Sequence, residues 1–176
     1  MTQVLTIPPG DWTCPSSLLR KPSQPVDQID GEVRLVLEKL RSALRRIPYG
    51  TGLSAIQLGV PLQLAIVNLD RSPSKEIVLI NPVVLRLSGR ATERIEGCLS
   101  MPDYKGKVKR RDKLLLETTS LDGQRIELAS RGYESAVVQH ELDHMAGLFY
   151  WDRMESGRCP DPLAPTHEGE HTEHEH

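Results

Sequence analysis

Apolar residues recur at Val33, Val36, Leu37, Leu40, Leu44 and Ile47, the i, i+3, i+4, i+7 spacing that lines one face of a helix. The spacing predicts an amphipathic helix over 31–47, with Asp30 as its N-cap and Pro48 and Gly50 as its stop. Beyond it the period shortens. Apolar runs predict strands at 62–69, 77–80 and 83–87, and 113–120 with 124–129 read as a hairpin around Asp122-Gly123. Residues 132–146 return to helical spacing and end at Gly147. Upstream, Pro8, Pro9, Pro15, Pro22 and Pro25 predict an extended N-terminal arm over residues 1–30. One helix, several strands and a second helix argue for an α+β fold with antiparallel β-sheets, not a doubly wound one.

Composition narrows the class. A chain of 176 residues with 38% hydrophobic and 26% charged positions is one globular domain. Cys14, Cys98 and Cys159 lie far apart and cannot all pair, which excludes a disulfide scaffold and favours a reducing compartment. No apolar run reaches the roughly 20 residues of a membrane span, and the first residues lack the basic start and apolar stretch of a secretory leader. Aromatics make up 4%, with Phe149 the single Phe, so the core must rest on Leu, Ile and Val.

Charge and histidine counts change meaning once located. His167, His171, His174 and His176 sit in the last ten residues with four glutamates and no base. Without those ten, 24 acidic residues become 20 against 22 bases, and net −2 becomes +2. Neither balance suggests sequence-specific nucleic-acid binding. Residues 1–155 are therefore expected to form the single folded domain, and 156–176 a disordered, His/Glu-rich tail. Lys105, Lys107, Lys109, Arg111 and Lys113 alternate, so an extended chain shows them on one face, either to RNA or as the solvated guard of an edge strand.

The remaining histidines carry the chemistry. His140-Glu141-Leu142-Asp143-His144 is an HExxH sequence on the second predicted helix. Spacing by four puts both imidazoles on one face, where they can ligate a single ion with Glu141 beside them. The apolar stripe of Tyr133, Ala136 and Val137 runs on into these residues, and buried imidazoles and a carboxylate need pairing or a metal. Two satisfied core histidines with an ion-paired Glu141 are the alternative. No further His lies nearby downstream to complete a ligand set, so a third ligand must come from upstream, where Cys98 is the candidate. A buried structural cysteine is the alternative there.

Three segments together resemble the motifs of peptide deformylases: Gly50-Thr51-Gly52-Leu53-Ser54-Ala55-Ile56-Gln57, Glu96-Gly97-Cys98-Leu99-Ser100 and Gln139-His140-Glu141-Leu142-Asp143-His144. The resemblance extends over roughly residues 15–155, through Ser17-Leu18-Leu19-Arg20-Lys21-Pro22 and Val78-Leu79-Ile80-Asn81-Pro82. It implies a fold of antiparallel sheets around a central HExxH-bearing helix. It also implies removal of formate from N-formylmethionyl nascent peptides by one divalent ion, Fe(II) first and Zn(II), Ni(II) or Co(II) as substitutes.

In that family pattern Cys98, His140 and His144 hold the ion, and Glu141 is the general base and then acid. The Gln57 amide and the Leu99 backbone N–H stabilise the oxyanion. Thr51, Gly52 and Gly97 border the substrate; Tyr133, Ala136, Val137 and His140 line the methionine pocket. Glu96, Gln139 and Asp143 support the ligands from behind.

Two residues depart from the pattern. Ser54 stands where Ala is usual, so its hydroxyl needs a partner, and Lys105 stands where many relatives carry Arg. Some bacterial members dock on the ribosome through a basic C-terminal helix, but Arg158 is the one base after residue 155, so that route is not implied. The expected setting is bacterial or phage-like cytoplasm, or a mature organellar form. Two rivals remain: another HExxH metallopeptidase, and a non-catalytic peptide- or metal-binding protein on the same scaffold.

Overall fold

A computed structural model describes residues 3–8, 17–155 and 160–162. Helix α1 spans Gly31–Arg46, and Asp30 caps it by accepting from the Val33 N–H at 3.0 Å. Its apolar stripe buries Val33, Leu37, Leu40 and Leu44 as expected, against β1 (Gly52–Ser54) and β2 (Leu64–Val67). With β3 (Ile77–Ile80) these form a three-stranded antiparallel sheet in the order β1-β2-β3. Among the described residues, strand β1 pairs on one side alone, which leaves its other edge open there.

The second sheet is longer than the sequence pattern suggested. Strand β4 (Val83–Cys98) and strand β5 (Met101–Thr119) form a long antiparallel pair, and β6 (Arg125–Arg131) closes the hairpin around Asp122-Gly123. The strand anticipated at 83–87 is only the first third of β4. Residues 88–97 escaped detection because most of them face solvent, so no apolar alternation marks them. Strand β7 (Asp161–Pro162) pairs with Tyr104 and Lys105 of β5. These two residues therefore depart from the disordered tail predicted for 156–176. The rest of that tail, with its four histidines, lies outside the described residues, as do Cys14, Cys159 and the arm prolines Pro9 and Pro15.

On β5, Lys107, Lys109, Arg111 and Lys113 are exposed on one face, and Lys105 is half-buried. Lys107 and Lys109 reach Glu93 and Glu155 at 3.4 and 3.7 Å. Opposite β4, residues 106–112 lie between the segments paired to β7 and β6. There α2 closes the edge: Ser135 Oγ and Gln139 Nε2 both donate to the Arg111 carbonyl.

Helix α2 (Gly132–Met145) runs through the middle, with buried residues on every side: Ser135, Val138, Glu141, His144 and Met145 among them. It packs on β5, β6, β1 and β2. Gly147 ends it at φ +74°, where a Cβ would lie 2.3 Å from the Arg20 carbonyl oxygen, so both the left-handed backbone and the close approach require glycine. The N-terminal arm ties the site segments together: Leu5 N–H donates to the Gln57 carbonyl at 2.7 Å and Ile7 N–H to the Ser100 carbonyl at 2.9 Å. Among the described residues, no helix is long and apolar enough to cross a membrane.

Candidate active site

The three motif segments converge where α2 passes between the sheets. Cys98 closes β4, His140 and His144 sit one turn apart on α2, and their ligand atoms all lie within 4.8 Å of one another. Cys98 Sγ is 3.2 Å from His144 Nε2, which is 3.1 Å from His140 Nε2. A tetrahedral ion at about 2.0–2.3 Å from each donor would space them about 3.3–3.6 Å apart. The trio fits a divalent ion, and the thiolate and two imidazoles are the donors a borderline metal prefers.

The surroundings orient these candidate ligands. His140 Nδ1 lies 3.0 Å from Glu96 Oε2, which leaves Nε2 to face the cluster. Glu96 is in turn held by Arg110, whose Nε and Nη2 donate to its two oxygens at 2.7 and 2.8 Å. Burial raises the Glu96 pKa, but the hydrogen bonds from Arg110 and His140 outweigh it and bring it down to about 2. Arg110 also donates to Asp143 Oδ2 at 2.6 Å, and Arg153 donates to Asp143 Oδ1 at 2.7 Å. A chain of charges thus runs from the Tyr150–Arg153 turn through α2 and β5 to a ligand. Burial opposes protonation of His140, yet Cys98 and Glu96 lift its pKa well above the ordinary value. Burial and His140 push His144 well below it, toward the neutral form that a metal binds.

Glu141 is 3% exposed. Burial raises its pKa to about 6 against the opposing pull of His140 and the Ser54 hydrogen bond, within the range useful to a group that must take and return a proton near neutrality. Gln57 Oε1 accepts from the Ser54 N–H at 3.0 Å, which turns Nε2 toward Ser100 Oγ at 3.0 Å and Cys98 Sγ at 3.7 Å.

These groups border a cleft of about 490 Å³. Thr51, Gly52, Gln57, Glu96, Gly97, Cys98, Leu99, Tyr133, Ala136, Val137, His140 and Glu141 all line it. A Cβ on Gly52 would sit 2.4 Å from Glu141 Oε1, so the bare backbone is what lets the carboxylate lie there.

Three placements differ from expectation. Tyr133, in the first turn of α2, is 54% exposed and lines the cleft instead of joining the core stripe. Gln139 does not support a histidine; its amide bonds the Arg111 and Ser135 carbonyls and fastens α2 to β5. Asp143 bonds Arg110, which in turn holds Glu96, and does not itself bond a candidate ligand. Arg110 itself went unread, although its parity gives it away. With 105, 107, 109, 111 and 113 facing outward, position 110 must face inward, where an arginine needs buried anions. Tyr49, Arg94 and Ile95 at the cleft carried no local signal.

A cysteine sulfur and two imidazoles beside a buried HExxH glutamate, on a helix packed against antiparallel sheets, are the features of a metal-dependent hydrolase. The Polypeptide deformylase family profile matches residues 12–158. Peptide deformylases of Acidobacterium capsulatum and Aquifex aeolicus are each 34% identical to it, over 80% and 82% of this chain and 82% and 86% of theirs. The crystal structure of a Synechococcus elongatus peptide deformylase in complex with actinonin superposes with a TM-score of 0.79 at 29% identity, covering 89% of this chain and 82% of that one. That of Thermotoga maritima gives 0.77 at 25% identity, covering 88% and 98%. The chain belongs to the polypeptide deformylase family, whose members remove the N-formyl group from nascent peptides.

Proposed function

We propose that the cleft hydrolyses the formamide of N-formylmethionyl peptides with Cys98, His140 and His144 holding one divalent ion, Fe(II) foremost. The observation that carries this reading is the Cys98–His140–His144 cluster, buried but for a half-buried His140, with Glu141 lining the same cleft. The ion, when bound, supplies Lewis acidity toward water and the formyl carbonyl. Glu141 takes a proton from the attacking water and returns it to the leaving amine, so one carboxylate serves as base and then acid. The Gln57 amide, already aimed at the cluster, and the Leu99 backbone N–H donate to the oxygen that becomes negative.

Substrate binding uses the open edge of β1. A peptide laid along it would add a strand to the three-stranded sheet, with Thr51 and Gly52 offering main chain and Gly52 adding no side-chain bulk. Ala136 and Val137 form the apolar wall for the methionine side chain, with Tyr133 at its mouth and Gly97 on the facing strand. Acting on nascent chains places the protein in the compartment of translation, a bacterial-type cytoplasm or an organelle; one relative in Solanum lycopersicum is chloroplastic.

The test is formate release from formyl-Met-Ala-Ser by anaerobically purified protein whose metal content is measured alongside. Formate is expected with one iron per chain. Iron bound and no formate would overturn the proposal. Cleavage of intact proteins, with metal retained in Cys98→Ala, would favour a different metallopeptidase.

A further inference from the structure

The segment that carries Gln57 also carries a hydroxyl that the proposed chemistry leaves unused. Ser54 ends β1 and is fully buried. Its Oγ donates to Glu141 Oε2 at 2.6 Å and lies 3.3 Å from the Glu141 carbonyl oxygen. A hydroxyl has one proton to give, and the short contact to a carboxylate is the stronger bond. The Ser54 backbone N–H meanwhile donates to Gln57 Oε1 at 3.0 Å. One residue therefore grips both the carboxylate and the amide. On the carboxylate's other side, Oε1 lies over the bare backbone of Gly52, where a Cβ would come within 2.4 Å.

A serine kept only to satisfy itself in a core needs one backbone acceptor, and the Glu141 carbonyl is at hand. The hydroxyl is instead turned to the side chain, 87 residues away in sequence. Held by one oxygen, a carboxylate loses the rotation that would exchange its two oxygens.

We propose that Ser54 is a positioning residue that clamps Glu141 Oε2, leaving Oε1 as the atom that exchanges protons with water and leaving amine. Oε1 accepts the water proton as the O–H bond breaks. It returns that proton to nitrogen as the C–N bond breaks, and Ser54 keeps its own throughout. The inference rests on Glu141 as the base of the deformylation described above. The side chain gains no new ligand role, and the ion's three donors are untouched by its removal.

The test compares iron-loaded wild type, S54A, S54T and E141Q on formyl-Met-Ala-Ser, with metal content and a crystal structure of each serine variant. S54A is expected to lower kcat about tenfold, since small misplacement of a reacting group is costly, with KM within twofold and iron still one per chain. Its Glu141 carboxylate should occupy more than one orientation. S54T keeps the hydroxyl and should hold kcat near wild type with one Glu141 orientation. Wild-type kcat in S54A overturns the proposal, as does a loss confined to KM, a loss with Glu141 unmoved, or an equal loss in S54T. Turnover retained in E141Q removes the general-base reading itself; E141Q inactive with S54A fully active removes only the positioning role.

Discussion

Replacing Glu96 by Gln should make the protein's stability less dependent on pH, and the structure sets the sign and size. Glu96 is only 10% exposed in its side chain, bound by two Arg110 nitrogens and by His140 Nδ1. Its carboxyl sits at about 2 in the folded chain against an ordinary value of 4.5. The unfolded chain therefore takes up its proton first as pH falls. The contribution is present in full above about pH 4.5 and drains away toward pH 2. At 1.36 kcal/mol per unit, the shift corresponds to about 3 kcal/mol at pH 7, falling to about 1.4 kcal/mol at pH 3. Glutamine cannot titrate, so any constant cost of the substitution cancels when the two chains are compared across pH. Urea unfolding of metal-free wild type and E96Q at pH 3, 4, 5 and 7 gives the gap directly. It should narrow by about 2 kcal/mol from pH 7 to pH 3. A gap independent of pH, or one that widens in acid, would refute the reasoning.

Three further outcomes follow from the same geometry. Cys98→Ala should reduce bound metal from near one per chain to near zero after dialysis, read by atomic absorption, because two imidazoles alone are a poor site; full retention would mean another residue completes the set. Gly52→Ala should lower kcat about 100-fold while metal stays bound, since its Cβ would meet Glu141 Oε1 at 2.4 Å and displace the base; unchanged kcat would show that the carboxylate works from elsewhere. Leu40→Ala, at a fully buried position of α1, should cost about 2–5 kcal/mol in urea unfolding without changing kcat in the folded fraction; a loss below about 1 kcal/mol would mean that the α1 contact with β2 relaxes to fill the space.

What could be read from the sequence follows from where each residue's constraint lies. Helix α1 was legible because one of its faces meets water and the other Leu64 and Ile66, which writes a 3.6-residue period into the chain. His140, Glu141 and His144 were legible as candidates because an HExxH segment demands particular residue types at close spacing, whereas Cys98 and Gln57 drew their expected roles from the family resemblance of their segments. The long β4–β5 pair was not, because β4 is wet on both faces over much of its length and selection for apolar alternation vanishes there. Ser54 and Glu141 meet across 87 positions and Arg110 and Asp143 across 33. No local period records such pairs, although a hydroxyl in a packed motif and an arginine at an inward strand position each announce that a partner must exist.

The charged chain behind the metal site has a consequence for how its residues should be valued. Burying Glu96, Arg110 and Asp143 costs desolvation that their mutual attraction only partly offsets, and apolar replacements of equal volume could leave the fold as stable. What apolar residues could not do is hold His140 Nδ1. Without Glu96 the ring loses the partner at Nδ1 that sets its orientation, and the 3.1 Å approach of the two Nε2 atoms depends on that orientation. Hydrogen bonds from Arg110 and His140 hold the Glu96 carboxyl in its ionised form, and Asp143, itself bound by Arg153, balances the charge of Arg110. The network therefore stabilises an orientation more than a fold. Its members stand in order of distance from the ligand: Glu96 touches His140, Arg110 touches Glu96, and Asp143 touches Arg110. Weakening of metal affinity should decline along that same order.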